Sequence, residues 1–120
     1  MNSDMVAVLD GWFKAYDNAD VESVIAHHTA NASMFGHGAP RVDGQEALRE
    51  TIQGLLDSGI RHISHEVTEA ESREDLGYLL ASMTLETPET GKIMAKVTDV
   101  LKRQSDGTWK FHNTSWSLDS

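Results

Sequence analysis

One carboxylate lies in an apolar row of a predicted strand. Residues 92–104 are rich in β-branched and apolar side chains, which is typical of a β-strand. Because side chains alternate along a strand, Asp99 shares one face with Val97 and Leu101. A desolvated carboxyl group holds its proton more tightly than one in water. Asp99 is therefore the first candidate for acid–base chemistry, and the alternative is an interior carboxylate bonded to a helix or a neighbouring strand.

Histidines are the second group of candidates, since an imidazole exchanges its proton near neutral pH. Residues 60–71 alternate as a strand, which places His62 and His65 on opposite faces. Two imidazoles on opposite faces cannot hold one ion, so the pattern predicts no metal site here. His65 shares its face with Ile63 and Val67, which favours it as the interior histidine and possible base. A surface histidine is the alternative.

A loop histidine is another candidate base. His37 lies between two glycines, and loops often carry functional residues, although a solvated histidine is the simpler interpretation. Aromatic and amide side chains near the predicted interior are candidate ligand contacts: Trp12, Tyr16, Phe35 and Asn113. For the two aromatic residues of the first helix, core packing is the alternative.

Composition narrows the classes of partner. The chain has 19 acidic and 10 basic residues, a formal net charge of −9, and no basic cluster. We therefore expect neither nucleic acid nor an anionic membrane as a partner. Zero cysteines remove disulfides, thiolate nucleophiles and cysteine zinc sites, and no phosphate loop or nucleotide fingerprint is present. The expectation is one soluble, cytoplasmic domain over residues 1–120 that needs no cofactor or metal.

Three helices are predicted ahead of the strands. Ser3 can cap a first helix whose apolar residues fall three and four apart and which ends at residues 18–20. Asp20 can cap a short second helix that carries His28 inward. Residues 33–42 contain two glycines and a proline, which favour a short strand and a loop.

The third helix and the strands follow. Asp43 and Glu46 resemble a capping box, and the helix that they begin ends at Gly59. Residues 105–107 form the hairpin turn that precedes the last strand. The strands are predicted at residues 60–71, 76–87, 92–104 and 108–116. Sequential hairpins indicate an antiparallel meander, curved by its twist, with the helices over one face and a pocket between the layers.

The last predicted strand is apolar on both faces. Alternation gives one face of Trp109, Phe111, Asn113 and Ser115 and another of His112, Thr114 and Trp116. A strand of this kind needs a partner on each side. The helices supply one, and we expect a second copy of the chain to supply the other in a symmetric homodimer.

Several segments resemble the nuclear transport factor 2-like superfamily, and in particular its SnoaL-like polyketide cyclase and ketosteroid isomerase-like branch. The similar runs are Asp75-Leu76-Gly77-Tyr78, Thr98-Asp99-Val100-Leu101, Asp106-Gly107-Thr108-Trp109-Lys110-Phe111 and Val42-Asp43-Gly44-Gln45-Glu46-Ala47-Leu48. The resemblance covers nearly the whole chain. It implies an α+β fold in which three N-terminal helices pack on a strongly curved antiparallel β-sheet, cone-shaped and cystatin-like, around a central pocket.

The resemblance also implies a function. Asp99 matches the protonated aspartic acid that donates to a developing oxyanion in ketosteroid isomerases. The base of those isomerases is not matched, because Gly36 stands at its place with His37 adjacent, and Trp12 stands where they carry a helix-borne tyrosine. The implied protein is a cofactor-independent isomerase or lyase of cyclase type. It would bind a small apolar carbonyl ligand with Asp99 as acid and His37 or His65 as base. The alternative is a non-catalytic ligand-binding or dimerisation module of the same fold.

Overall fold

The computed structural model describes residues 1–119, which form three helices and six strands. The helices are α1 (Ser3–Asp17), α2 (Val21–Ala26) and α3 (Gln45–Asp57). The strands are β1 (His28–Phe35), β2 (Val42–Asp43), β3 (Arg61–Arg73), β4 (Leu76–Thr87), β5 (Gly91–Arg103) and β6 (Trp109–Leu118). The predicted α+β architecture is confirmed, and the four long strands lie where the sequence predicts them. None of the helices in this part of the chain is long and apolar enough to cross a membrane.

The first helix is capped one residue earlier than predicted. The side chain of Asn2 accepts hydrogen bonds from the backbone N–H groups of Asp4 and Met5, at 3.1 Å each. Asn2 has an extended backbone, whereas Ser3 is already helical, so only Asn2 can satisfy the free N–H groups of the first turn. The apolar face of α1 then turns Met5, Leu9 and Phe13 into the core.

The second helix is shorter than predicted. Asp20 caps it as expected, since its carboxylate accepts from the Ser23 N–H at 3.2 Å. His28, which the sequence places on this helix, is instead the first residue of β1 and is fully buried. Its Nδ1 donates to the Val24 carbonyl at 3.0 Å, and its Nε2 accepts from the Trp12 indole N–H at 3.3 Å. One imidazole thus joins both helices to the sheet.

The predicted capping box of α3 is wrong. Gly44, with φ of +89°, occupies the N-cap position and no side chain caps the helix. The Asp43 carboxylate is bonded to the Arg41 guanidinium at 2.9 Å and is not available to the helix. The predicted end is confirmed, because α3 closes at Asp57 and Gly59 follows with φ of +80°.

The sheet is mixed. Its strand order is β2-β1-β6-β5-β4-β3, and the predicted antiparallel meander holds from β3 to β6. The prediction of a wholly antiparallel sheet is wrong at one side, where β1 pairs with β6 in parallel. These two strands are separated by most of the chain, so no hairpin signal links them. The parallel pair extends the sheet under α2 and α3.

A β-bulge in β3 changes which histidines face the core. His62 pairs with Leu85 and Ser64 pairs with Thr84, so Ile63 is an extra residue on its strand. An extra residue shifts the alternation by one. His62 and His65 therefore point to the same side of the sheet, and the prediction that they lie on opposite faces is wrong.

Another β-bulge lies in β6. Leu101 pairs with Phe111 and Val100 pairs with Asn113, so His112 is the extra residue here. Beyond it, Thr114 takes the core-facing position opposite Asp99, although simple alternation puts Thr114 and Phe111 on different faces. The predicted faces of the last strand are wrong after His112 for this reason.

We predict that His28 makes the fold sensitive to acid. Burial lowers the pKa of His28 to about 4, although its bond to the Val24 carbonyl opposes the shift. A free imidazole has a pKa of about 6.5, so the unfolded chain binds the proton first as the pH falls. Between pH of about 6.5 and about 4, this group should therefore remove about 3 kcal/mol from the free energy of unfolding. In urea titrations, His28→Gln should lose less stability over this range than the wild type. His37→Gln, at an exposed histidine, is the control and should behave as wild type; an unchanged acid loss in His28→Gln would contradict the assignment.

Candidate functional site

A small cavity lies between α1 and the buried face of the sheet. Its volume is about 80 Å³, and most of its lining is apolar. Five residues with polar side chains are part of the wall: Tyr16, His62, Asp99, Thr114 and Ser115. The strands position the last three directly, because β5 and β6 are paired along this stretch.

Asp99 is the most deeply buried acidic group of the cavity. It is 1% exposed, and its cross-strand neighbours are Leu79 and Thr114. Among residues 1–119 no cation pairs with its carboxyl group, and Oδ1 has no hydrogen-bond partner. Burial raises its pKa well above the ordinary value, while a bond from the Ser115 backbone N–H opposes the shift. The carboxyl group therefore favours its neutral form, which can donate a hydrogen bond.

Thr114 places a second free oxygen beside Asp99. It is 8% exposed, and within the described residues its Oγ1 also lacks a hydrogen-bond partner. A buried polar atom without a partner costs about 1–3 kcal/mol, so such atoms are rare in folded chains. These two oxygens lie on adjacent strands in the wall of one cavity, and each is free to bond to a further polar atom.

The aromatic residues of α1 form an apolar wall. Tyr16 donates its hydroxyl to the Ile60 carbonyl at 2.7 Å, and burial together with the nearby Asp17 charge raises its pKa to about 12. Trp12 stacks on Tyr16 with a centroid distance of 5.6 Å, and its indole N–H is bonded to His28. Both predicted ligand contacts line the cavity, but their polar atoms are already bonded within the protein.

His62 reaches the cavity, and His65 lies behind it. The predicted interior histidine was His65, but His62 is the one in the wall, and its Nε2 is 3.0 Å from His65 Nδ1. Burial lowers the pKa of His62, although the Asp17 carboxylate at 3.1 Å opposes this. Asp17 also fixes Nδ1 as the protonated nitrogen, because a carboxylate can only accept.

Four of the predicted site residues lie outside the cavity wall, namely His65 and three more distant ones. His37 is exposed, and its Nδ1 accepts from the Leu118 backbone N–H at 3.2 Å. Phe35 is 42% exposed beneath the Arg41 guanidinium. Asn113 donates to the Ser33 hydroxyl at 2.8 Å, which connects β6 to β1. The structure therefore brings Asp99, Trp12 and Tyr16 together and leaves His65 and these three outside the wall.

Among the wall residues that carry a side-chain nitrogen or oxygen, four were not predicted as site residues: His62, Thr114, Ser115 and Trp116. Three of them follow the β6 bulge, whose position no local pattern indicates. Trp116 also packs on the loop after β1, where a Cβ added at Gly36 would lie 3.3 Å from the indole nitrogen. Gly36 thus lets this loop pack closely on the Trp116 indole, which an added Cβ would have to displace slightly.

Acidic and histidine side chains are numerous, but they do not converge on one point. Within residues 1–119, no group of three or more His, Asp or Glu side chains is placed to hold a metal ion. The chemistry that the arrangement itself offers is hydrogen bonding and proton exchange.

Comparison with known proteins identifies the family. A family model described as "SnoaL-like domain" matches residues 5–118, which confirms the resemblance found in the sequence. A comparison with curated proteins finds no match.

Solved structures share the whole fold. A ketosteroid isomerase-like protein from Erwinia carotovora atroseptica superimposes with a TM-score of 0.86 at 20% identity, over 98% of this chain and 95% of that chain. A cystatin-like protein of unknown function from Nostoc punctiforme has a TM-score of 0.83 at 21% identity, over 97% and 89%. An NTF2-like protein of unknown function from Pseudomonas putida has a TM-score of 0.79 at 17% identity, over 96% and 84%. At these identities the similarity shows the fold alone.

We predict that Asp99 opposes folding increasingly as the pH rises. Because the pKa of Asp99 is raised in the fold, the neutral carboxyl stabilises the folded chain fully below about pH 3.9, the pKa of a free aspartate. This stabilisation is lost as the pH rises through the folded pKa. Asn imitates the neutral acid and does not titrate. Asp99→Asn should therefore fold, and its free energy of unfolding should gain on the wild type as the pH rises above about 3.9. Asp75→Asn, at an exposed ion pair with Arg103, is the control. An Asp99→Asn protein that loses stability relative to wild type on raising the pH would mean that the carboxyl is charged and paired.

Proposed function

The chain belongs to the SnoaL-like domain family, and on that premise we propose a cofactor-independent enzyme that moves a proton on a small apolar carbonyl compound. The reaction would be of isomerase or cyclase type. The observation that carries the proposal is the Asp99 carboxyl, buried in an apolar cavity with Oδ1 free. A group of this kind costs stability and is retained where it has a ligand to serve.

Asp99 is the proposed acid. When a proton leaves the carbon next to a carbonyl group, negative charge develops on the carbonyl oxygen. Hydrogen-bond donors fixed in a dry cavity stabilise that charge more than water would, because they need no reorganisation. The neutral Asp99 carboxyl and the Thr114 hydroxyl are both free to donate to one such oxygen.

His62 is the proposed base. The sequence favours His37 or His65, but His62 is the histidine in the cavity wall. Asp17 holds the Nδ1–H, so Nε2 carries the lone pair that a base requires. This lone pair faces His65 Nδ1, and a ligand in the cavity would compete with His65 for it.

The volume of the cavity limits the size of the substrate. Its volume of about 80 Å³ is well below the ~300–1,000 Å³ of pockets that hold drug-sized ligands. The proposed ligand is therefore a small ketone or enone, or the reactive end of a larger one. Its apolar part would contact aromatic side chains such as Trp12 and Phe111.

A non-catalytic binding module is the second candidate. Gly36 stands where the isomerases that the sequence resembles carry their base, and His37 lies outside the wall. If His62 does not leave its partners, the cavity binds a carbonyl ligand without turning it over.

A cytoplasmic homodimer is the proposed assembly. The sheet face that points away from the helices carries Tyr78 and Met94, which are 40% and 53% exposed. A second copy packed on this face would cover them. The absence of cysteine fits a reducing compartment.

Sedimentation velocity should show a dimer that Met94→Lys converts to a monomer. A wild-type monomer at micromolar concentration would contradict the proposed dimer.

We predict that Asp99→Asn lowers proton transfer by about 10²–10⁴-fold, the usual contribution of a general acid or base. The measurement is deuterium exchange at the carbon next to the carbonyl group of acetone and cyclopent-2-enone in heavy water, followed by NMR. It needs no knowledge of the natural substrate. Thr98→Val, on the exposed face of the same strand, is the matched control and should exchange as wild type.

Two outcomes would contradict the proposed enzymatic activity. Equal exchange with Asp99→Asn and wild type would remove Asp99 from the reaction. Binding of the probes, seen as line broadening, without any exchange above the buffer rate would favour the binding module.

A further inference from the structure

Four titratable side chains form a continuous hydrogen-bonded line between α1 and β3. His62 Nδ1 lies 3.1 Å from the Asp17 carboxylate, and His62 Nε2 lies 3.0 Å from His65 Nδ1. His65 Nε2 lies 2.7 Å from the Asp10 carboxylate. We call these four residues the His62–His65 cluster. Each imidazole uses both of its nitrogens within it.

The three contacts require three protons. Each is a pair of nitrogen or oxygen atoms at hydrogen-bond distance, and each needs one hydrogen between its atoms. Two neutral imidazoles carry one N–H each, and ionised carboxylates carry none. With only two protons, one of the three contacts would bring two lone pairs together. The observed distances are satisfied by one additional proton.

We propose that the His62–His65 cluster is a proton-binding site, which holds one proton more than two neutral imidazoles and thereby fastens α1 to β3. Its ligand is a single proton shared by a coupled pair of histidines. The pair would hold this proton whether or not the cavity supports turnover.

The extra charge belongs mainly to His65. Burial lowers the pKa of His62, which keeps that ring neutral with its hydrogen on Nδ1. His65 then carries both N–H groups, donating one to His62 and the other to Asp10. The carboxylates at the two ends offset the positive charge, and only the coupled pair as a whole has a defined titration.

Phe13 connects the cluster to the cavity. Its ring stacks on His62 at a centroid distance of 4.0 Å and on His65 at 4.5 Å. An imidazolium over an aromatic face gains a further electrostatic attraction. Phe13 and His62 are both part of the cavity wall, so loss of the proton would loosen the wall where α1 meets β3.

Other charged groups near the cluster are already accounted for. On β4 the residues opposite His62 and His65 are Leu85 and Met83, which do not titrate. On β3, Arg61 is paired with Glu86 of β4. On α1, Lys14 lies between the two aspartates along the helix and is exposed.

The direction of the pH effect follows from the number of protons that the three contacts require. The three contacts are complete only while the additional proton is bound, because its loss sets two lone pairs against each other. The stabilisation that the cluster gives is therefore lost as the pH rises through the titration of the coupled pair. In strong acid a second proton would set two N–H groups against each other at the His62–His65 contact, so the cluster holds only over an intermediate range.

Nitrogen NMR of the intact protein tests the proton count directly. Long-range ¹H–¹⁵N spectra distinguish a protonated nitrogen, a bare nitrogen and an imidazolium. At about pH 6 we expect His62 to be neutral with its hydrogen on Nδ1, and His65 to be an imidazolium. Two neutral rings between about pH 5 and pH 8, or two rings that titrate independently as free histidine does, would overturn the proposal.

Aspartate variants separate the cluster from the general charge of α1. Asp10→Asn removes the carboxylate beside His65 and should lower the pH of proton loss by about one unit. Asp4→Asn removes an aspartate of the same helix that is outside the cluster, and it should leave that pH unchanged. An equal shift in both variants would show that the proton responds only to net charge and would contradict a built site. If Asp10→Asn fails to fold, the wild-type ¹⁵N pattern still decides the proton count.

Discussion

The carboxyl group of Asp99 lies on the buried face of an interior strand, where ionisation would place a charge among apolar side chains. No cation among the described residues offsets that charge, so the group remains neutral or the fold loses stability. The rest of the cavity is consistent with this constraint. Trp12 and Tyr16 line the same cavity as Asp99 and have their own polar atoms bonded elsewhere. The free donors of the cavity are then confined to one place, the point where β5 and β6 pair.

Two extra residues determine which side chains surround that point. Ile63 in β3 turns both His62 and His65 to the core side, and His112 in β6 brings Thr114 opposite Asp99. Without these bulges Ser64 would replace His65 on that side, and Asn113 would replace Thr114. A bulge costs a local disruption of the ladder, but here each one places a polar side chain beside the cavity or behind its wall. The acid, its neighbouring hydroxyl and the histidine pair thus depend on strand register as much as on residue type.

The sequence predicts those features that depend on local periodicity. The apolar row around Asp99 correctly predicts that its side chain lies in the core. The turn after β5 correctly predicts the hairpin of β5 and β6, which carry Asp99 and Thr114. The strand register could not be predicted in this way, because a bulge depends on packing against the neighbouring strand and leaves no signal in its own residues. The prediction that His62 and His65 lie on opposite faces is wrong for this reason. The parallel pairing of β1 with β6 was not predicted either, since it joins segments that are distant in the chain.

The most direct test of this account is the titration of the Asp99 side-chain carboxyl carbon by ¹³C NMR. A buried, unpaired carboxyl should change its chemical shift with a midpoint well above about 3.9, the value of a free aspartate, and should still be protonated where exposed carboxyl groups are ionised. The Asp75 carboxyl, exposed and bonded to Arg103, provides the reference in the same spectra. A midpoint for Asp99 at or below that of a free aspartate would show a stabilised carboxylate and would contradict a neutral donor in the cavity.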